Sequence, residues 1–331
     1  GKPLSADASL TANLRNTLYN NVYNHFMAGV EIGTEGNRGE GIRFDPLRPT
    51  LEMLRMRTRS FSSIPFVHQY TAFAEDKVTF PSGKMRTELQ LGVRLTKLQT
   101  KALHYAPAAD PRINVRQILV ERKDDAMLKH LSIRAGWGLM HKMPVLAYLY
   151  PDKSYTDQNC FTYNDIENGE RLTVMHTFVT GRTFNPDLRL PVNRKLELGL
   201  NLRLGQMTAD VVWFREHLRN GFSTTEQAEP FTYRRYDQLI GRGEHPELTS
   251  DGIVNNGKPL SYTTHATFAT YTSPENGIEQ LKQGIEYTLD VGHWNPLHTS
   301  LLISGSYLNL HEKNTALSAI YPQADFSGKS Y

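Results

Sequence analysis

The chain has 331 residues, enough for one large domain or two smaller ones. Its 37 Lys and Arg residues nearly balance its 34 Asp and Glu residues, so the net charge of +3 does not indicate a nucleic-acid partner. A single cysteine, Cys160, excludes a disulfide framework and a cysteine-based metal cluster. No apolar run approaches the roughly 18 residues that predict a transmembrane helix. The mean hydropathy of −0.48 suits both a soluble protein and a membrane β-barrel.

Apolar and polar residues alternate along the first half of the chain. Successive side chains of a β-strand point to opposite faces, so this alternation predicts strands with one apolar and one polar face. Turn formers separate the strands, and a Pro/Ala-rich stretch at Ala106–Pro111 predicts a loop. The predicted strands are Ser5–Thr17, Val22–Thr34, Pro65–Phe80, Met85–Gln99, Ile113–Arg122 and His130–His141.

The clearest alternation in the second half is at Lys195–Gly205, where leucine occupies every second position. With Ala209–His217 this stretch predicts a hairpin, and two further strands are predicted at Lys282–Gly292 and His298–Leu310. Two long polar segments predict loops, at Lys142–Asn193, with a possible extra strand at Leu172–Val179, and at Arg219–Pro274.

Strand length and connection length together indicate a membrane barrel. Most predicted strands have 10–14 residues, whereas strands of soluble sandwiches have about 5–6 and tilted membrane strands about 9–11 before extensions. The connections are short after the first, third, fifth, seventh and ninth strands, and long after the others. Outer-membrane barrels show this alternation of connection lengths, with short periplasmic turns and long extracellular loops.

The polar faces carry charge at mid-strand positions, which a wet barrel lumen accommodates. We therefore predict an all-β, antiparallel transmembrane β-barrel that turns its leucines to lipid and its charges inward. The charged positions are Arg94, Arg134, Glu197, Arg203 and Glu286.

Four stretches carry further local patterns. They are GVEIGTEGNRGEG (Gly29–Gly41), LSIRAGWGL (Leu131–Leu139) followed by Met143-Pro144, LPVNRKLELGLNLRL (Leu190–Leu204) followed by ADVVWFREHLRNGF (Ala209–Phe222), and PENGIEQLKQGIEYTLD (Pro274–Asp290) followed by TSLLISGSYLN (Thr299–Asn309). In this order, they resemble the barrel domain of TonB-dependent outer-membrane transporters of the SusC/RagA-like kind.

The resemblance implies a place and a role for the chain. It implies the outer membrane of a Gram-negative bacterium, uptake of an oligosaccharide or peptide driven by the TonB–ExbB–ExbD system, and a SusD-like surface lipoprotein as partner. Barrels of this family have about 22 strands, whereas this sequence predicts about ten to twelve, with no visible plug domain or TonB box. We therefore expect residues 1–331 to form part of one barrel domain.

No catalytic or cofactor chemistry is predicted from the sequence. The twelve histidines are scattered without an HExxH motif. The glycine-rich stretch Gly36–Gly41 lacks the Lys-Ser/Thr of a phosphate-binding loop. We predict no catalytic residue, no metal site and no cofactor, so that function resides in binding.

One cluster of aromatic and basic residues is a candidate for ligand contact: Tyr233, Arg234, Arg235 and Tyr236. Aromatic rings and guanidinium groups stack on sugars and peptides, although such a cluster can also simply pack a loop.

Two alternatives remain open at the level of sequence. One is a passive barrel of the porin or adhesin type, without TonB coupling. The other is a soluble all-β carbohydrate-binding module, whose leucine faces would be buried in a core.

Overall fold

The computed structural model describes residues 2–18, 21–41, 57–83, 85–124, 126–165, 168–241 and 243–318. Within these ranges the protein is nearly all antiparallel β-sheet, with a single turn of α-helix, α1, at Leu146–Leu149. No helix in the described ranges is long and apolar enough to cross a membrane.

The strands follow the chain in long antiparallel pairs. Their bounds are β1 Pro3–Thr17, β2 Tyr23–Asn37, β3 Val67–Ser82, β4 Met85–Gln99, β5 Ala108–Glu121, β6 Leu128–His141, β7 Ser154–Asp165, β8 Glu170–Thr180, β9 Val192–Leu204, β10 Met207–Arg235, β11 Pro246–Thr249, β12 Gly252–Asn255, β13 Lys258–Pro259, β14 Thr263–Trp294 and β15 Thr299–Asn314.

Ten of these strands form one open sheet in the order β1-β2-β3-β4-β5-β6-β9-β10-β14-β15. β7 and β8 form a separate hairpin, and β11–β13 form a small three-stranded sheet. Among the described residues, β1 and β15 each pair on one side only, so the sheet has two free edges. The predicted all-β, antiparallel fold is confirmed, and its open sheet is that of a partial barrel.

The register aligns the apolar residues of neighbouring strands into one continuous face. In one row, Ala135 lies opposite Leu198, which lies opposite Trp213, followed by Ile285 and Tyr307. This outer face stays open: Leu198 is 48% and Tyr307 68% exposed. A soluble domain rarely leaves so large an apolar surface uncovered, whereas a barrel turns it to lipid.

The predicted strands of the sheet are all present, and Met85–Gln99 is correct at both ends. The predicted loop at Ala106–Pro111 is wrong, because β5 already begins at Ala108. At Pro111 the strand pairs only with Val93 of β4, and its pairing with β6 begins one residue later. Proline, which has no N–H to donate, is tolerated where one side of a strand is unpaired.

The predicted loop at Arg219–Pro274 is also wrong over much of its length. β10 has 29 residues and β14 has 32, and the two stay paired far beyond their neighbours. Thirteen consecutive register pairs, from Ser223↔Glu275 to Arg235↔Thr263, project beyond the sheet, a length of about 40 Å. We call this projection, Ser223–Arg235 with Thr263–Glu275, the arm.

The β7–β8 hairpin packs against the arm. It includes the extra strand predicted at Leu172–Val179, which is confirmed as β8, together with β7, which was not predicted. The Phe178 ring stacks on Phe231 of the arm with 4.7 Å between ring centroids. At the far end, the buried residues Phe161, Tyr163, Tyr236, Ile253 and Leu260 join the hairpin, the arm and the small sheet.

The connections between strands confirm the short and long ends of the sheet. Residues 18–22, 83–84, 122–127, 205–206 and 295–298 make short connections at one end. Residues 38–66, 142–191 and 236–262 make long ones at the other end, which is the extracellular end of a barrel. The connection after β4, residues 100–107, is shorter than predicted, because β5 begins early.

Candidate functional site: the polar face and the arm groove

Oppositely charged side chains cross-link neighbouring strands on the polar face of the sheet. Arg134 on β6 donates two hydrogen bonds of 2.8 Å to the Asp210 carboxylate on β10, reaching across β9. Asn201 on β9 donates a third, of 3.1 Å, to the same carboxylate. This bidentate geometry matches the planar guanidinium to the carboxylate and fixes both side chains.

Further charges on this face are paired in the same manner. Arg94 pairs with Glu31, and Lys195 bridges Glu197 at 2.8 Å and Glu216 at 3.5 Å. Partly exposed pairs of this kind contribute about 0–1 kcal/mol each. Their main effect is to keep a wet surface of near-neutral charge, as the predicted orientation of Arg94, Arg134 and Glu197 requires.

Glycines on the polar face make room for long side chains of the adjoining strand. A Cβ on Gly199 would lie 2.6 Å from the Arg134 Nε atom. A Cβ on Gly284 would lie 3.1 Å from the ring of Phe214, which is 7% exposed. The amine of Lys282 lies over that ring, 5.4 Å from its centroid. Large side chains therefore lie flat along the face and leave space above it.

An apolar cluster closes the extracellular end of this face. Val67, Leu98, Tyr105 and Leu149 are buried together, with residues of the connections around β4 and α1 packed against them. Burial raises the pKa of the Tyr105 hydroxyl to about 12, because the apolar surroundings disfavour the phenolate. The cluster anchors α1 and the connection after β4 to the end of the sheet.

Three predicted ligand residues, Tyr233, Arg234 and Arg235, lie at the outer end of the arm, in a strand rather than a loop, and Tyr236 follows directly after the strand. Tyr233, Arg234 and Tyr236 line a groove of about 470 Å³. The Arg234 guanidinium lies over the Tyr262 ring, 4.6 Å from its centroid. Arg235 is outside the groove lining and pairs with Asp237 at 2.8 Å.

Tyr236 has a mainly structural position in this group. It is 9% exposed, and its backbone N–H donates a 2.8 Å hydrogen bond to the carbonyl oxygen of Cys160. Its hydroxyl would overlap a Cβ at Gly252, where φ is +135°. Only glycine readily adopts that backbone conformation, so Gly252 lets the small sheet close over the Tyr236 ring.

Eight of the eleven groove residues were not predicted, among them Cys160, His176 and Tyr262. Cys160 lies on β7 and His176 lies on β8. The alternation of aromatic and polar residues along Ser154–Asp165 is the sequence signal that could have predicted β7. Burial raises the pKa of the Cys160 thiol, so it packs as an apolar group. No group of three metal-ligating side chains occurs in the described part of the chain.

Ten long antiparallel strands, an uncovered aliphatic face, a charged opposite face and long connections at one end define the wall of an outer-membrane type of β-barrel. The chain belongs to the TonB dependent receptor-like β-barrel family, whose model matches residues 3–329. Members of this family are outer-membrane receptors. The predicted family is thereby confirmed.

Solved structures agree in fold. The RagAB peptide transporter matches with a TM-score of 0.53 and 12% identity, covering 95% of this chain and 30% of that one. The siderophore receptor PirA from Pseudomonas aeruginosa matches with a TM-score of 0.52 and 18% identity, covering 95% and 44%. The chain thus spans less than half of each structure. No protein of curated function matches significantly.

Proposed function

We propose that the chain forms wall and extracellular loops of an outer-membrane transporter that takes up a bulky nutrient with energy delivered through TonB. Membership of the TonB-dependent receptor family is the observation that carries the proposal. The exposed aliphatic face supports it, because the soluble carbohydrate-binding alternative would need that face buried. No reaction step and no cofactor is part of this function.

We propose an oligosaccharide or a peptide as the nutrient. The groove at the end of the arm supports this class, since Tyr233 offers a ring and Arg234 a guanidinium already held flat against Tyr262. Flat π-surfaces and cations suit sugar faces and peptide carbonyl or carboxylate groups. The RagAB peptide transporter has a related fold.

The proposed partners follow from the same family. Energy would come from the TonB–ExbB–ExbD system of a Gram-negative cell, and a SusD-like surface lipoprotein would cooperate in capture. The arm supports a surface partner because it extends about 40 Å past the sheet, carrying exposed side chains such as Phe268 at 65% exposure.

Uptake measurements test this function. Cells carrying the full-length protein should accumulate labelled oligosaccharides or peptides, and accumulation should cease when TonB is deleted. Uptake that persists without TonB would favour the passive porin or adhesin type of barrel. Uptake of an iron chelate alone would refute the proposed nutrient class while leaving TonB coupling intact.

Substitutions in the groove test the ligand residues. We expect Tyr233→Ala and Arg234→Ala each to weaken nutrient binding about tenfold, the loss typical of a central contact. Thr272→Ala is the control, because Thr272 is an exposed residue of the arm away from the groove lining. Binding by either groove variant at the level of the Thr272→Ala control would refute the assignment, provided that both proteins reach the cell surface.

A further inference from the structure

Basic residues collect at one place on the outer face, directly above the aliphatic band. On β9 the outward residues run from Leu204 to Leu196 without a charge, and the next outward residue is Arg194. On β10 the corresponding change occurs after Trp213, at Arg215. Aromatic side chains mark the membrane boundary in barrels of this type, so the charges begin where headgroups begin.

The basic patch extends over four neighbouring strands at the extracellular end. We define it as Arg194 on β9, Arg215 and Arg219 on β10, and Lys313 on β15, with β14 lying between. The register places Arg194 opposite His217, and His217 opposite Leu281, which lies opposite His311. Arg215, Arg219 and Lys313 each lie two residues from this row, so the four charges share one face and a narrow band of it.

One carboxylate within the patch offsets only part of this charge. Glu279 on β14 accepts a 2.8 Å hydrogen bond from His217 and lies 3.9 Å from the Arg219 Nε atom. Lys313 lies directly opposite Glu279 across the strand pair. The patch thus contains four permanent cations and one anion, and Arg219 keeps 66% of its side chain exposed.

Arg194 and Arg215 are the least neutralised members of the patch. Both are exposed, and neither forms an ion pair with another residue in the described ranges. Their strand positions are diagonal neighbours, since Arg215 lies opposite Leu196, which puts the two strands' residues about 7–8 Å apart. Two exposed guanidinium groups side by side repel each other unless an anion lies between them.

We propose that this patch binds the phosphate groups of an anionic lipid in the outer leaflet, while the lipid's acyl chains lie along Leu196, Leu198 and Trp213. Arginine offers bidentate geometry to phosphate, and long cationic side chains reach readily from the edge of the hydrocarbon to the headgroups. The direct contact between cations and the lipid-facing band favours a lipid over an acidic protein. This inference goes beyond nutrient uptake, because it concerns the outer surface of the wall.

The contrast with β4 supports a local site. Lys97 also lies near the extracellular end of the sheet, but its amine donates to the carbonyl oxygen of Tyr105. That cation is therefore already satisfied by the protein. Arg194 and Arg215 have no such partner in the described ranges.

Lipid binding by the full-length protein in detergent tests the proposal. The probes are bisphosphorylated lipid A and the same lipid without phosphates, and the readout is the number of lipids retained in native mass spectrometry across a concentration series. Each cation near an anionic headgroup contributes roughly a fivefold factor in affinity. We expect Arg194→Gln with Arg215→Gln to weaken binding of the phosphorylated lipid about 30-fold.

Two controls accompany this variant. Arg194→Lys with Arg215→Lys keeps both charges and should bind within a few fold of the unsubstituted protein. Arg122→Gln with Lys123→Gln removes two exposed cations at the opposite end of the sheet and should have no effect. Heat-dependent gel mobility confirms that each variant is folded.

Three results would overturn the proposal. The first is equal binding of the phosphorylated lipid by the glutamine variant and the unsubstituted protein. The second is an equal loss for the phosphate-free lipid, which would mean that the two arginines do not act through the phosphate groups. The third is full displacement of the lipid by soluble polyglutamate at matched charge, which would assign the patch to an acidic protein.

Discussion

Replacing Leu200 with arginine tests the orientation of the whole sheet. The outward leucines from Leu196 to Leu204 of β9 cover eight residue steps, about 26 Å along the strand, and Leu200 is in the middle. It is 41% exposed and lies opposite Ile133 and Val211, neither of which can pair with a guanidinium. An arginine at the membrane midplane destabilises a barrel by about 2–4 kcal/mol. We therefore expect the folding equilibrium constant to fall about 30- to 900-fold.

The matched control is Thr288→Arg. Thr288 follows Tyr287, which is in the same cross-strand row as Leu200, but it points to the polar face and lies opposite Asp210. There an arginine meets water and a carboxylate, so we expect a change within about 0.5 kcal/mol. The assay is guanidinium unfolding of the full-length protein in phospholipid vesicles, followed by tryptophan fluorescence. Equal costs for the two variants, or a larger cost for Thr288→Arg, would refute the assignment of the faces.

Two further substitutions test the packing of the polar face and of the arm. Gly284→Val would force a side chain into the backbone of β15 and should destabilise the protein by about 1–3 kcal/mol. The loss should be seen as lost heat-dependent gel mobility. Gly181→Ala is the control, because its added Cβ meets open space and should leave the gel mobility unchanged. Phe178→Ala removes the stacked contact with Phe231, which contributes about 0.5–1.5 kcal/mol. It should speed proteolysis within residues 154–180 while the sheet stays intact. Val179→Ala, at a half-exposed position, is the control, and equal cleavage of both variants would contradict the packing.

The strands of the ten-stranded sheet could be predicted from sequence because their apolar and polar residues alternate clearly. In Lys195–Gly205 every outward residue is leucine and the inward residues are polar or glycine, so a strand with one apolar and one polar face was predicted. Strand length and connection length then favoured lipid on the apolar side. Family membership was also within reach, since the four stretches that resemble the family are spread along most of the chain. The register itself was not predicted, because it depends on pairing between strands.

The arm could not be predicted because its alternation has little hydrophobic contrast. Its buried face includes Ser223, Thr225 and Ser273, which are polar in sequence but buried in the structure. Conversely, Phe268 is exposed. The cluster from Tyr233 to Tyr236 was found by composition alone, and composition does not reveal that Tyr236 is packed while Arg234 remains accessible. Ligand binding at these residues stays a prediction.

A bulge at the base of the arm explains how its packed face relates to the rest of the molecule. Read without interruption, the alternation of β10 would place Phe231 on the same side as Trp213, facing lipid. Between Leu218 and Gly221 the register shifts, and Asn220 has a φ of +54°. One extra residue moves every later side chain to the opposite face. β14 then has one extra residue of its own between Ile278 and Glu275, which compensates for the extra residue of β10. The packed side of the arm therefore continues the polar face of the sheet, so the β7–β8 hairpin and the groove stand on the lumen side, where a ligand held by the arm would be positioned toward the mouth of the barrel.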